Sequence, residues 1–214
     1  MPPSLVTVAV TSVPPSAPAA GFVVTPTTLA LIGADDPEAM LRHTDECRNR
    51  GIPFIADPSQ QLAFADGPFI RKLVDGADYL ITNEYESHLT STKTGWSQEE
   101  IDDRVTTRVI TLGRDGAEIR TQGEAPVHVP VAGEVERVDP TGVGDAFRAG
   151  FLVGLAGGLS HERCAQIGSV LAAHVLVDLN KNLIIGKAAD AGIGQRYLQI
   201  ARNRARQRNV RIAA

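Results

Sequence analysis

Short apolar segments of strand length recur along this chain, and their alternation with helical segments constrains the fold more than any other feature. The segments are TLALIG (28–33), IPFIAD (52–57), ADYLIT (77–82) and RVITLG (108–113). Strands that alternate with helices predict an α/β fold, in which a mostly parallel sheet carries helices on both faces. Ligands of such sheets bind beyond the carboxyl ends of the strands, so the residues that follow each segment are candidate site residues.

Local signals mark the ends of the intervening helices. Asp36 before Pro37 is typical of an N-cap and first helical residue, and Gly51 predicts that this helix ends near Arg50. Further predicted elements are helices at 67–76, from 83 onward, from 97 (a capping box), at 146–158 and at 161–177, a hairpin turn at 114–116, and a short strand at 127–131.

Composition excludes several classes of protein. The formal net charge of -4 argues against a nucleic-acid-binding protein, which normally has a basic face. No apolar run reaches the roughly 18 residues that span a bilayer, so no membrane association is predicted. The two cysteines, Cys47 and Cys164, lack metal-ligand spacing. They are predicted to be reduced, buried thiols, which indicates a cytoplasmic location.

The two ends of the chain differ in composition and residue pattern from its central part. Residues 1–28 are uncharged and rich in Pro, Ala, Ser, Val and Thr, which predicts a low-complexity leader without ordered structure. Periodicity fades from about residue 178, and residues 178–214 form a basic tail. We interpret this tail as a solvated helix or a frayed end. The alternative is an RNA- or membrane-binding tail, but no aromatic residue interleaves the arginines of ARNRARQRNVR (201–211). The central part is therefore 29–177.

The stretch DPTGVGDAF (139–147) is the strongest candidate for a functional site. If a helix begins near Gly144, the backbone amides of Val143, Gly144 and Asp145 point out of its N-terminus and form an anion hole, aided by the helix dipole. The alternative is an ordinary turn from loop to helix. Phe147 stands where a dinucleotide-binding fingerprint would place its third glycine, so that motif is incomplete.

Two further segments lie at predicted strand ends. Asn83 and Glu86 stand three residues apart at a helix start, and such oxygen ligands suit Mg²⁺ directly or through water. The alternative is a capping box in which Asn83 is the N-cap and Glu86 its N3 partner. VITLGRDG (109–116) offers two glycines where the backbone can approach a nucleotide, and a plain hairpin is its alternative.

Together these segments resemble the ribokinase (PfkB-type) family of sugar and nucleoside kinases. DPTGVGDAFRAGF is similar to the family's D-T-x-G-A-G-D signature, NEYE to its N-x-x-E motif, and VITLGRDG to its nucleotide-binding turn. The text around LIGADDPEAM and ADYLITNEYE further resembles the bacterial adenosine-kinase branch. The resemblance covers about residues 29–177 and implies a ribokinase-like fold.

The resemblance also implies a role for each matched residue. Asp145 matches the catalytic base, and Gly142, Val143 and Gly144 match the anion hole for the transferring phosphoryl group. Asn83 and Glu86 match the motif for phosphate and Mg²⁺-bound water. The residues that match the nucleotide-contacting turn are Thr111, Gly113, Arg114 and Gly116. Asp139 and Thr141 match positions that help bind a monovalent cation such as K⁺.

The implied function is transfer of a phosphoryl group from ATP, with Mg²⁺, to a hydroxyl of adenosine, another nucleoside or a small sugar. The chain enters the family pattern part-way, at about residue 29, and we expect an N-terminally truncated member without the first strands and the small β lid. The alternatives are an inactive remnant that at most binds nucleotide, and an interaction module that reuses the sheet.

Overall fold

A computed structural model of the chain describes residues 29–132 and 142–178. The predicted leader and, except for Asp178, the predicted tail lie outside these residues. The strands are β1 (Ala30–Ile32), β2 (Phe54–Ala56), β3 (Tyr79–Asn83), β4 (Thr107–Thr111), β5 (Ala117–Thr121) and β6 (Val127–Val129). The helices are α1 (Pro37–Arg50), α2 (Gln61–Phe64), α3 (Gly67–Val74), α4 (Glu84–Thr94), α5 (Gln98–Asp102), α6 (Val143–Ala156) and α7 (His161–Asp178).

The strands form one mixed sheet in sequence order, from β1 to β6. Strands β1 to β4 pair in parallel, and β4, β5 and β6 pair antiparallel. Parallel neighbours need a crossover between them, and α1, the pair α2 and α3, and the pair α4 and α5 supply these crossovers. The prediction of a mostly parallel α/β sheet is therefore confirmed, as is the hairpin after β4.

The start and end of α1 and the start of α5 follow the predicted signals, whereas α6 (Val143–Ala156) begins three residues and ends two residues before the predicted 146–158. The Asp36 side chain accepts a hydrogen bond from the backbone N–H of Ala39 at 2.9 Å, Pro37 is the first helical residue, and α1 ends at Gly51. At α5, the side chain of Ser97 caps the N–H of Glu100 at 3.1 Å, and that of Glu100 accepts the N–H of Ser97 at 2.7 Å. These contacts span three residues or fewer, which is why the sequence reveals them.

The helices that follow β1, β2 and β3 pack against the sheet around a shared core. Helix α3 contacts both α1 and α4, and α4 contacts β3 and β4. The core cluster takes apolar side chains from each of these layers, among them Ile32, Met40, Phe54, Leu62, Ile70, Leu73, Leu80 and Ile101. Cys47 belongs to the same cluster and is a free, buried thiol, as predicted.

The chain divides into two compact units. One contains the sheet and α1 to α5, and the other contains α6 and α7. In the second unit a Cβ on Gly150 would lie 2.7 Å from Cα of Gly168, and one on Gly154 would lie 2.8 Å from Cα of Cys164. The two pairings run in opposite order along the chain, so α6 and α7 are antiparallel and meet at backbone contact distance.

Among the described residues, no helix has the length and apolar character that a bilayer crossing requires.

Candidate functional site

The structure brings two of the predicted site segments together at the carboxyl edge of the sheet. Asn83 is the last residue of β3 and Thr111 is the last residue of β4, and the two are partners in the parallel register. The N-x-x-E segment therefore begins directly beside the predicted nucleotide-binding turn. The sequence predicts both strand ends, and the register makes them neighbours.

Asn83 and Glu86 form a reciprocal capping box at the start of α4. Oδ1 of Asn83 accepts the backbone N–H of Glu86 at 2.8 Å, and Oε2 of Glu86 accepts the backbone N–H of Asn83 at 2.8 Å. The capping box, which was the alternative prediction for this pair, is therefore confirmed. The box uses Oδ1 and Oε2 and leaves Nδ2 of Asn83 and Oε1 of Glu86 outside it. A ligand-binding role therefore remains chemically open to both side chains.

The turn between β4 and β5 is a short 3₁₀ segment, Gly113–Asp115, closed by a hydrogen bond from the N–H of Leu112 to the carbonyl of Gly116 at 2.8 Å. Gly116 adopts φ 93° and ψ -130°, a conformation that essentially only glycine tolerates. The Arg114 side chain is 88% exposed. This geometry leaves the turn backbone and one cationic side chain accessible beyond the sheet edge.

His128 on β6 supports this turn from the neighbouring hairpin. Its Nε2 lies 2.7 Å from the backbone carbonyl of Asp115. Sequence analysis missed His128 as a support of the turn, because residues 115 and 128 meet only when β5 and β6 pair. The short strand at 127–131 was the sole signal in the sequence.

The start of α6 has the geometry expected of an anion hole. Gly142 is the N-cap with φ 78°, a left-handed conformation that favours glycine, and its carbonyl accepts the first helical N–H, from Ala146, at 2.9 Å. Within the part of the chain that the structure describes, this end has no side-chain cap. The amides of Val143, Gly144 and Asp145 precede the first intrahelical bond, so they have no partner within the helix and can face an anion.

Asp145 stands on the first turn of α6, and its side chain is 87% exposed. Nη1 of Arg148, one turn further on, lies 3.4 Å from Oδ1 of Asp145, and the Arg148 side chain is only 12% exposed. Sequence analysis also missed Arg148, although its spacing of three residues from Asp145 is that of side chains on one helix face.

Two predicted cation ligands, Asp139 and Thr141, lie outside the described residues. Within the described ranges, no group of three or more His, Cys, Asp or Glu side chains is arranged to hold a metal ion. The described candidate ligand, Glu86, has one carboxylate oxygen outside the capping box, and Mg²⁺ usually keeps several waters and is bound through one or two carboxylates and substrate phosphates.

Comparison with known proteins gives one family. The family model described as pfkB family carbohydrate kinase matches residues 18–183, a range that includes all of 29–177. A nucleoside kinase from Methanocaldococcus jannaschii is 27% identical over 150 residues, which are 70% of this chain and 49% of that protein. A ribokinase from Arabidopsis thaliana is 32% identical over 135 residues, which are 59% of this chain and 34% of that protein.

The solved structures agree with this family. The nucleoside kinase of Burkholderia thailandensis in complex with inosine has a TM-score of 0.73 and 32% identity, and the match covers 83% of this chain and 59% of that chain. The fold is ribokinase-like, as predicted. The chain spans about half, or less, of the curated relatives named above. These comparisons do not favour the alternative of an inactive remnant.

Proposed function

Because the chain belongs to the pfkB family of carbohydrate kinases, we propose that it transfers a phosphoryl group from ATP to a hydroxyl of a nucleoside or small sugar. The observation that carries this proposal is the start of α6. There, amides without helical partners stand beside an exposed carboxylate, Asp145. Phosphoryl transfer needs positioning and charge stabilisation more than covalent help, and this arrangement offers both.

In the proposed reaction, Asp145 takes the proton of the attacking hydroxyl. The hydroxyl oxygen forms a bond to the γ-phosphorus as the bond from that phosphorus to the β,γ-bridging oxygen breaks, and ADP leaves. The amides of Gly142, Val143 and Gly144 stabilise the charge on the transferring group, with the positive end of the α6 dipole behind them. A carboxylate is a weak base, which is adequate if the proton moves late.

The carboxyl edge of the sheet would hold the nucleotide. Thr111, Gly113 and Gly116 would let the turn backbone approach it, and the exposed Arg114 would reach its phosphates. Glu86 would hold Mg²⁺ through the oxygen that the capping box does not use, and Nδ2 of Asn83 could donate to a phosphate. When bound, Mg²⁺ neutralises charge on the phosphates. We further propose Asp139 and Thr141 as ligands of a monovalent cation such as K⁺.

We propose a nucleoside as the acceptor, with adenosine the first candidate. The support is the likeness to nucleoside kinases, one of them solved with inosine. The resemblance of LIGADDPEAM and ADYLITNEYE to adenosine kinases adds to it. Inosine and ribose are the alternative acceptors to test. Inosine differs from adenosine in its base, and ribose has no base.

The test is ATP-dependent phosphorylation of adenosine, inosine and ribose by the purified chain. Asp145→Asn keeps the shape of the side chain and removes the base, so kcat should fall by roughly 10²–10⁴-fold. Asp45→Asn is a matched control, because Asp45 is also an exposed helical carboxylate, and its partner three residues on, Arg48, lies at 3.1 Å. Asp45→Asn should leave kcat unchanged.

Two results would contradict the proposal. If Asp145→Asn still transfers phosphate at the wild-type rate, Asp145 is not the catalytic base. If the wild-type chain binds ATP but transfers phosphate to none of the acceptors, the chain is a nucleotide-binding remnant and not a transferase.

A further inference from the structure

We infer that Arg148 is a positioning residue that orients the carboxylate of Asp145, an inference that rests on the proposed function for its catalytic meaning. The two side chains differ sharply in exposure, at 12% for Arg148 and 87% for Asp145. The guanidinium is therefore largely covered by the protein, whereas the carboxylate faces solvent. Their separation of three residues places both on one face of α6.

Gly144 leaves room for the guanidinium. A Cβ on Gly144 would come within 2.8 Å of Nη1 of Arg148 and 3.8 Å of its Cζ. The head group therefore occupies the space that a side chain at 144 would fill. It therefore lies beside Gly144, which belongs to the proposed anion hole, and within 3.4 Å of the carboxylate of Asp145.

The contact can orient the carboxylate of Asp145 and still leave it available to act as a base. Charge-assisted N–H···O bonds are usually about 2.7–2.9 Å long. The 3.4 Å between Nη1 of Arg148 and Oδ1 of Asp145 is longer, so the attraction biases the carboxylate while its oxygens remain able to accept a proton. A guanidinium has no acceptor atom, so it cannot compete for that proton.

The inference is tested by a double-mutant cycle of phosphoryl transfer. Arg148→Gln should lower kcat by about tenfold and leave KM for ATP unchanged, since a misoriented base slows the chemical step. In the Asp145→Asn background the same substitution should cost nothing further. Arg148→Lys keeps the charge and should recover most of the loss. Arg163→Gln is the control, because Arg163 is exposed on α7 and donates to Gln166 at 2.5 Å.

An equal loss of kcat in the Asp145→Asn background would overturn the inference, because a purely structural role does not act through the carboxylate. Unchanged kcat in Arg148→Gln would overturn it as well. Neither outcome contradicts the proposed phosphoryl transfer.

A second readout does not need activity. Three-bond couplings from the backbone to Cγ of Asp145, measured by NMR, report its χ1 rotamer. One dominant rotamer is expected in the wild-type chain, and averaging over rotamers is expected in Arg148→Gln. If the wild-type chain transfers no phosphate, the proposed function falls and these couplings alone decide the inference. Equal couplings in both proteins would overturn it.

Discussion

Asp102→Asn should destabilise the sheet unit substantially, because it leaves a buried cation without its nearest anion. Arg108 lies on β4 with a fully buried side chain, and Nη1 donates to Oδ1 of Asp102 at 3.0 Å. Oδ2 of the same carboxylate accepts from Nη1 of Arg120 on β5, also at 3.0 Å. Asparagine keeps the shape of the side chain and removes the charge that both guanidinium groups face.

The magnitude follows from what remains around Arg108. Burial lowers the pKa of Arg108, which reflects the cost of keeping this cation away from water. Removing one partner of a buried ion pair typically costs about 3–5 kcal/mol. Asp102 is 27% exposed, and Nη2 of Arg108 keeps neutral acceptors in Ser87 and Gln98, both at 2.6 Å. We therefore expect a loss smaller than this range, about 2–3 kcal/mol in the free energy of unfolding.

Urea unfolding measures this loss, with Asp103→Asn as the control. Asp103 is the neighbouring residue, is exposed, and undergoes the same chemical change. The double variant Arg108→Met/Asp102→Asn should recover most of the stability, because it removes the buried charge together with its partner. If Asp102→Asn were as stable as Asp103→Asn, Arg108 would not depend on this carboxylate, and the reasoning would be refuted.

Three further predictions concern packing, thiol chemistry and capping. Gly150→Ala should destabilise the chain by up to about 2 kcal/mol in thermal unfolding, since overpacking costs about 1–3 kcal/mol and the gain in helix propensity offsets about 1. Gly33→Ala is the neutral control, because its Cβ meets nothing within 4 Å; equal effects would refute the packing argument. Burial raises the pKa of Cys164 to about 11, so its thiol should resist alkylation near neutral pH in the folded chain and react in urea. The free energy of unfolding should also fall between about pH 9 and about pH 11, where the unfolded thiol ionises first, and Cys164→Ala should flatten that dependence. Asn83→Ala should cost about 1 kcal/mol through loss of the cap, whereas Asn83→Asp should not, and a similar loss in both variants would contradict the capping role.

Much of the fold and of the site follows from local sequence. The start and end of α1 depend on Asp36, Pro37 and Gly51, and the proposed anion hole depends on Gly142 and the residues directly after it. These features arise within one or two helical turns, so neighbouring residues specify them. The matched motifs also identify the family from the sequence, because they occur along the chain in the family's order.

Two other features could not be predicted from the sequence. Helix α2 (Gln61–Phe64) has four residues, too few for a helical period to appear. The burial of Arg108 was equally hidden, because a charged residue in a strand is normally exposed. Its burial depends on Asp102, Ser87 and Gln98, which reach it from α4 and α5.

Apart from α2, the sequence by itself determined the order of the strands and helices, the caps of α1 and α5, and the residues that carry the family motifs. Tertiary structure decided which of these residues meet. Asn83 stands beside Thr111 because β3 and β4 pair in that register, and His128 reaches the carbonyl of Asp115 because β5 and β6 pair. The physical reason is one of range. Caps and turns are stabilised by contacts within a few residues, whereas register and burial depend on how distant segments pack.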